Sequence, residues 1–286
     1  MILPTRLPIK TSLFITIASF QLFSMNNLTS RIIMLSLCCL LVAVASVFAG
    51  PETQIVEGTT AADCELPSIV YLILVESATS IKDCGGTLID STHILTAAHC
   101  VRGISQIYAA YGVNNVRTIE RKSVKAVSNV VVHEGYINVR STIKNDIAIL
   151  TLNESLSEGR CVKFAPMANQ GENFGTSRCI AAGWGDLTYR GKGSENLQKV
   201  ALPIVPYDEC KKKSILTISD GILCAGDFEK GGPSTCEGDS GGPLYCPRSN
   251  GQMVLAGITS FGYNCKMEIS AFSDVGYFRN WIDSHL

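Results

Sequence analysis

Three side chains in this 286-residue sequence have the chemistry needed for hydroxyl attack on a carbonyl carbon. Ser240 sits in Gly238-Asp239-Ser240-Gly241-Gly242, a stretch flanked by Cys236 and Cys246. A serine hydroxyl is a weak nucleophile at neutral pH and needs a base to take its proton. An imidazole serves as that base when a carboxylate on its other nitrogen fixes the tautomer. The oxyanion that forms needs N–H donors already aimed at it, which glycine-rich backbone can present. His99 near the end of LTAAHC (95–100) and Asp146 at the head of DIAIL (146–150) are the candidates for base and orienting acid. Taken singly, each has a plainer reading: a structural imidazole, a turn acid and a glycine loop. Together they form a complete set of reactants.

These residues lie far apart along the chain, so the elements carrying them must converge. SIVYLILV (68–75), HILTAA (93–98), NVVVHEGY (129–136), DIAILTL (146–152), CIAAGWG (179–185) and VLAGITSFG (254–262) are short apolar or alternating runs bounded by turn residues. They are expected to be strands. Helical spacing is clear only in VGYFRNWIDSHL (275–286), where Val275, Phe278 and Ile282 share a face. The pattern points to an all-β barrel or sandwich.

The chain is 46 % hydrophobic and 17 % charged, with a formal net charge of −1. This is the profile of a folded protein, and the lack of a basic block argues against a nucleic-acid partner. The first 49 residues differ from the rest. SLFITIASFQLF (12–23) and IIMLSLCCLLVAVASVFA (32–49) are nearly continuous apolar runs, the second preceded by Arg31 and ending Val47-Phe48-Ala49. A basic flank, an apolar core and a small-residue end describe a secretory signal cut after Ala49, with Met1, Met25 or Met34 as the initiator. The competing reading is a membrane anchor, since 18 apolar residues just reach spanning length. Of twelve cysteines, Cys38 and Cys39 would leave with the signal. An even set remains, which in an exported chain implies disulfides rather than zinc ligands. Asn153-Glu154-Ser155 is a glycosylation sequon.

LTAAHC, NDIAIL and CEGDSGGP, in that order, resemble the chymotrypsin-like (S1, trypsin-fold) serine peptidases. IVEG at 55–58, GWG at 183–185, SFG at 260–262 and the terminal helix extend the resemblance over residues 55–286. It implies an all-β fold of two packed six-stranded β-barrels, about 55–165 and 166–275, followed by a C-terminal α-helix at 276–286. It assigns His99 as general base, Asp146 as its orienter and Ser240 as nucleophile, with the N–H groups of Gly238 and Ser240 as the oxyanion hole. It also implies the disulfides Cys84–Cys100, Cys179–Cys246, Cys210–Cys224 and Cys236–Cys265. Cys64 and Cys161 lie outside the positions the family commonly bridges and are left to each other.

The resemblance further implies activation by cleavage before Ile55, whose new ammonium would pair with Asp239 and order the oxyanion loop. The residue before that bond is Gln54, after a spacer beginning at Gly50, where such zymogens usually carry Arg or Lys. By the same resemblance Ser234 floors the specificity pocket, with Ser260, Gly262 and Ser270 along its walls and Glu237 at its rim. A neutral floor disfavours a buried cation and suits large apolar or aromatic substrate residues. Ser270 would narrow the pocket toward small residues, and a slipped register would bring Glu268 in and favour basic ones. Glu237 is expected to repel acidic residues near the scissile bond. No metal or cofactor is expected. The partners implied are protein or peptide substrates and protein inhibitors of a secreted monomer. A non-catalytic homologue, acting as a binding or toxin-like module, is the rival reading.

Overall fold

The computed structural model describes residues 58–139, 142–228, 232–262, 265 and 269–286. The expected signal segment 1–49, the spacer 50–54, Ile55 and Glu268 lie outside the described residues.

The described strands are β1 (Thr59–Thr60), β2 (Ile69–Ser77), β3 (Ser80–Leu88), β4 (His93–Thr96), β5 (Gln106–Tyr111), β6 (Val124–Val132), β7 (Ile137–Val139), β8 (Thr142–Lys144) and β9 (Ala148–Leu152). They continue with β10 (Arg178–Gly183), β11 (Gln198–Val205), β12 (Ile222–Ala225), β13 (Pro243–Pro247), β14 (Met253–Gly262) and β15 (Ser270–Asp274). The helices are α1 (Ala98–Val101), α2 (Tyr207–Lys213) and α3 (Val275–Asp283).

Six strands close the first barrel in the order β2-β3-β4-β9-β6-β5. A second ring of six runs β11-β10-β13-β14-β15-β12 and closes through the β11–β12 pairing. The two-barrel fold with a terminal helix is thus present. β1 crosses the expected boundary between the barrels: Thr59 and Thr60 pair with Lys199 and Gln198 of β11, so this strand edges the second barrel.

Side-chain alternation explains why these segments close. In β2, Val70, Leu72 and Leu74 are buried while the residues between them are only half-buried, the period-two pattern of a strand with one face on a core. Leu88, Ile94, Ile149 and Leu150 are fully buried in the same barrel; Leu202, Leu244 and Phe272 are their counterparts in the second. Each such side chain contributes about 1.5–3 kcal/mol. In α3, Val275, Phe278 and Ile282 are buried on one face, and the Asp274 side chain caps the helix by accepting the Tyr277 N–H at 3.1 Å.

Three expected strands end early: the run expected at 179–185 stops at Gly183, and the other two stop for local reasons. The run expected at 129–136 leaves the sheet at Val132. Gly135 N–H turns back to His133 Nδ1 at 3.0 Å, and Tyr136 N–H to the His133 carbonyl at 2.9 Å. The run expected at 93–98 leaves at Thr96, where Ala97 and Ala98 lead into α1 and carry His99 out of the barrel wall. Five disulfides tie the connections: Cys64–Cys161, Cys84–Cys100, Cys179–Cys246, Cys210–Cys224 and Cys236–Cys265.

Leu150→Ala, which empties a fully buried site on β9 two residues into the strand that follows Asp146, is expected to lower unfolding free energy by about 2–5 kcal/mol. Denaturant titration of the disulfide-intact protein measures it.

Candidate active site

Asp146 is fully buried, and its carboxylate is enclosed by donors from both barrels. Oδ1 accepts the His99 backbone N–H at 2.8 Å, and Oδ2 lies 2.7 Å from His99 Nδ1. From β14, the Ser260 hydroxyl also donates to Oδ2. A carboxylate accepts from Nδ1, so the ring carries its proton there and leaves Nε2 with a lone pair. The ring is partly open to solvent, its side chain 24 % exposed. Ser260 reaches inward because β14 is irregular between Thr259 and Phe261 in its pairing with β15.

The Ser240 loop is built onto the segment that carries His99. Gly85 N–H donates to the Ser240 carbonyl at 2.7 Å, and Thr96 Oγ donates to the Gly85 carbonyl at 2.8 Å. Cys84, next to Gly85, is bridged to Cys100, next to His99. The nucleophile and base candidates are therefore each held through residues 84 and 85. Among the described residues the Ser240 hydroxyl has no hydrogen-bond partner, and His99 Nε2 lies 3.8 Å from Cys100 Sγ. Hydrogen bonds of this kind are often loose without substrate and tighten when it binds.

Within the loop, Asp239 N–H bonds to the Cys236 carbonyl, Gly241 N–H to Thr259 and Gly242 N–H to Asp239. Among the described residues the N–H groups of Gly238 and Ser240 have no acceptor, the condition for donors that receive an oxyanion. Gly238 and Gly241 adopt φ of +92° and +76°, a region that side-chain-bearing residues avoid.

Asp239 is also fully buried. It is met only by backbone amides among the described residues: Gly185 N–H at Oδ1 and Cys236 N–H at Oδ2, both at 2.9 Å. A Cβ on Gly185 would fall 2.7 Å from the Asp239 carboxyl carbon, and one on Gly183 closer still to Oδ1. The glycines of the GWG stretch are thus the seat of this acid. Burial, opposed by those two amides and reinforced by the charge of Asp186, raises the Asp239 pKa to about 6.

Ser234, 2 % exposed, gives its hydroxyl to the Cys265 carbonyl. Ser270 lies opposite Gly262 in the β14–β15 ladder. Its hydroxyl accepts from Thr235 N–H at 3.0 Å and from Thr235 Oγ at 2.8 Å. Gly262 is open: a Cβ there would meet only the Ile269 carbonyl, at 3.7 Å. Glu237 is exposed, and its carbonyl receives the Asp186 N–H at 2.6 Å. The carboxylate of Asp83 lies 3.8 Å from where a Gly238 side chain would start. Desolvation, then the charge of Asp186, raises its pKa. The group of metal-ligand types brought together among the described residues is Cys84, His99 and Cys100. Its two sulfurs are joined in a disulfide and offer no thiolate.

Sequence reasoning missed the Thr235–Ser270 pair, Asp83, Asp186 and Ser273, whose hydroxyl donates to the Asp146 backbone carbonyl at 2.7 Å. Asn145 did carry a signal. It adopts φ +50°, which asparagine tolerates better than most residues, and its side chain donates to the Gly135 carbonyl at 2.8 Å.

Two closed barrels with this loop and acid–imidazole pair define the class of two-barrel serine endopeptidases. Residues 55–282 match the sequence model of the trypsin family, and the chain belongs to that family. It is 34 % identical to alkaline trypsin B of Manduca sexta over 249 residues, covering 84 % of this chain and 93 % of that one. Chymotrypsin-C of Bos taurus is 31 % identical over 244 residues, 82 % of this chain and 90 % of its own. The proclotting enzyme of Tachypleus tridentatus is 30 % identical over 254 residues, 82 % of this chain and 66 % of its own. The chain is a serine-type endopeptidase, and no helix among its described residues is long and apolar enough to cross a membrane.

The raised Asp239 pKa has a definite sign. A carboxyl that titrates higher folded than unfolded favours folding when protonated, and that contribution is lost as pH rises from about 3.8 through about 6. Without a cation at Asp239, Asp239→Asn is therefore expected to gain stability relative to the parent between pH 4 and pH 7, by about 3 kcal/mol at full effect. Unfolding free energies at the two pH values measure it; a pH-independent difference would contradict the assignment.

Proposed function

We propose that the protein is a secreted endopeptidase that cleaves through an acyl-enzyme formed on Ser240, with His99 as general base and Asp146 as its orienter. The observation that carries this is the enclosed Asp146–His99 pair joined through Cys84 and Gly85 to the Ser240 carbonyl. The Gly238 and Ser240 amides, without acceptors among the described residues, support their role as the oxyanion hole. An intact set of reactants disfavours the non-catalytic rival.

Secretion fits the apolar leader, and the exposed Asn153 just after β9 suits glycosylation in an exported chain. Cleavage before Ile55 would supply an ammonium to Asp239. That pairing makes the buried carboxylate favourable in its charged form and fixes the loop that presents the amides. Such an enzyme acts on protein or peptide substrates as a monomer and meets protein inhibitors.

Substrate preference follows from the pocket, because the relatives carry both trypsin and chymotrypsin names. Ser234 offers no charge, and its hydroxyl is already bonded, so a substrate cation would be buried unpaired at a cost of several kcal/mol. The open wall at Gly262 favours large apolar or aromatic residues. The Ser270–Thr235 pair favours a second reading, a shortened base that prefers small residues. Glu237, with Asp186 and Asp83 nearby, disfavours acidic residues around the scissile bond.

A cleavage profile of the activated protein on a peptide library, with Ser240→Ala as control, tests the reading. Cuts after Leu, Met, Phe or Tyr support the larger pocket, cuts after Ala or Val the shortened one, and cuts after Arg or Lys overturn both. Ser270→Gly is expected to raise kcat/KM for aromatic over small residues by about tenfold. Asp146→Asn is expected to lower kcat by about 10⁴-fold at neutral pH, the size that follows from holding the wrong imidazole tautomer. Glu237→Gln is expected to raise kcat/KM for substrates with an acid beside the scissile bond by about two- to fivefold, an effect that shrinks with salt.

A further inference from the structure

We infer that Ser273 is a positioning residue for catalysis, seating the orienting acid through its main chain; the inference rests on the reading of Asp146 given above. Asp146 precedes β9, so its carbonyl lies outside the barrel ladder. It is fully buried, and the donor it has among the described residues is the Ser273 hydroxyl, at 2.7 Å. Ser273 is itself fully buried on β15, in the other barrel.

The backbone at this point is under local constraint. Asn145 sits at φ +50°, Ile147 N–H turns back to the Asn145 carbonyl at 2.9 Å, and Asn145 Nδ2 holds the Gly135 carbonyl. A residue between such neighbours has little freedom to settle by itself, and its carbonyl direction sets where its side chain emerges. Ser260 holds the carboxylate from β14, and Ser273 holds the carbonyl from β15. Asp146 is therefore gripped at both ends by adjacent strands of the barrel opposite its own.

Among the described residues the Ser273 hydroxyl bonds to neither the imidazole nor the pocket serines, so its effect must pass through the placement of the carboxylate under His99. β15 also carries Ser270, which lines the specificity pocket three residues earlier. The same strand thus sets one wall of the substrate site and the seat of the acid. A buried acceptor that loses its donor moves to find another or stays unsatisfied, and either displaces the group it belongs to.

The experiment compares Ser273→Ala, Ser273→Cys and Ser273→Thr with the parent, all in the activated full chain, on one apolar peptide substrate. Rates are referred to active sites counted with a covalent serine-directed inhibitor. Ser273→Ala is expected to lower kcat about tenfold with KM unchanged. Ser273→Cys, which keeps volume and weakens the donor, should fall most of the way toward it. Ser273→Thr, which keeps the hydroxyl, should recover most of kcat. A parent-like kcat per active site in Ser273→Ala, or a loss that Ser273→Thr does not recover while Ser273→Cys matches the parent, overturns the inference. Asp146→Asn separates the two levels: if it keeps the parent kcat, the orienting role of Asp146 fails; if it loses activity while Ser273→Ala keeps the parent kcat, only the role of Ser273 fails.

Discussion

A carboxylate removed from water is costly unless donors replace the water it loses. At Asp146 the donors are the amide and ring N–H of His99 on one side and the Ser260 hydroxyl on the other. The first two come from α1, which follows the first barrel's β4, and the third from the second barrel. The acid is therefore satisfied only when both barrels have closed and met. The same event that makes its burial tolerable also orients the imidazole, so that folding and the assembly of the proposed catalytic machinery are one constraint.

The second buried acid, Asp239, solves the problem differently. It is met by two backbone amides and has no cation among the described residues, and its raised pKa reflects that poorer compensation. The two buried carboxyl groups thus differ in surroundings rather than type: Asp146 is met by an imidazole and a hydroxyl, Asp239 by backbone amides alone among the described residues. The close seat formed by Gly183 and Gly185 explains why a tryptophan between two small residues marks this part of the chain. Any side chain at either glycine would push Asp239, and with it the loop bearing Ser240.

The fold class, the site segments and the terminal helix were legible because they depend on local pattern. Alternation in SIVYLILV and apolar spacing in VGYFRNWIDSHL are short-range properties. Some strands that escaped notice have a pattern diluted by polar residues or glycine, such as β3 with Lys82, Asp83 and Gly85, and β11 with Gln198 and Lys199, while β12 and β13 are apolar but only four and five residues long. The helix α2 was hidden in a lysine run that reads as solvated surface. Its acids in the first turn and lysines in the last suit the helix dipole. Strand ends at Val132 and Thr96 were misjudged because side-chain-to-backbone bonds and a change of element decide them. Ser273 was out of reach altogether: a serine in AFSDV carries no mark of the carbonyl it serves 127 residues earlier. Motifs record what a segment does locally; contacts between barrels leave no trace in spacing.

The central claim is that a seated acid–imidazole pair makes one hydroxyl out of many nucleophilic. The most direct test is covalent labelling of the activated protein with a fluorophosphonate or sulfonyl fluoride, with the adduct located by mass spectrometry. The account predicts a single adduct on Ser240, formed rapidly in the parent and slowed by orders of magnitude in His99→Ala. Labelling spread over several serines, or an undiminished rate at Ser240 without the imidazole, would contradict it.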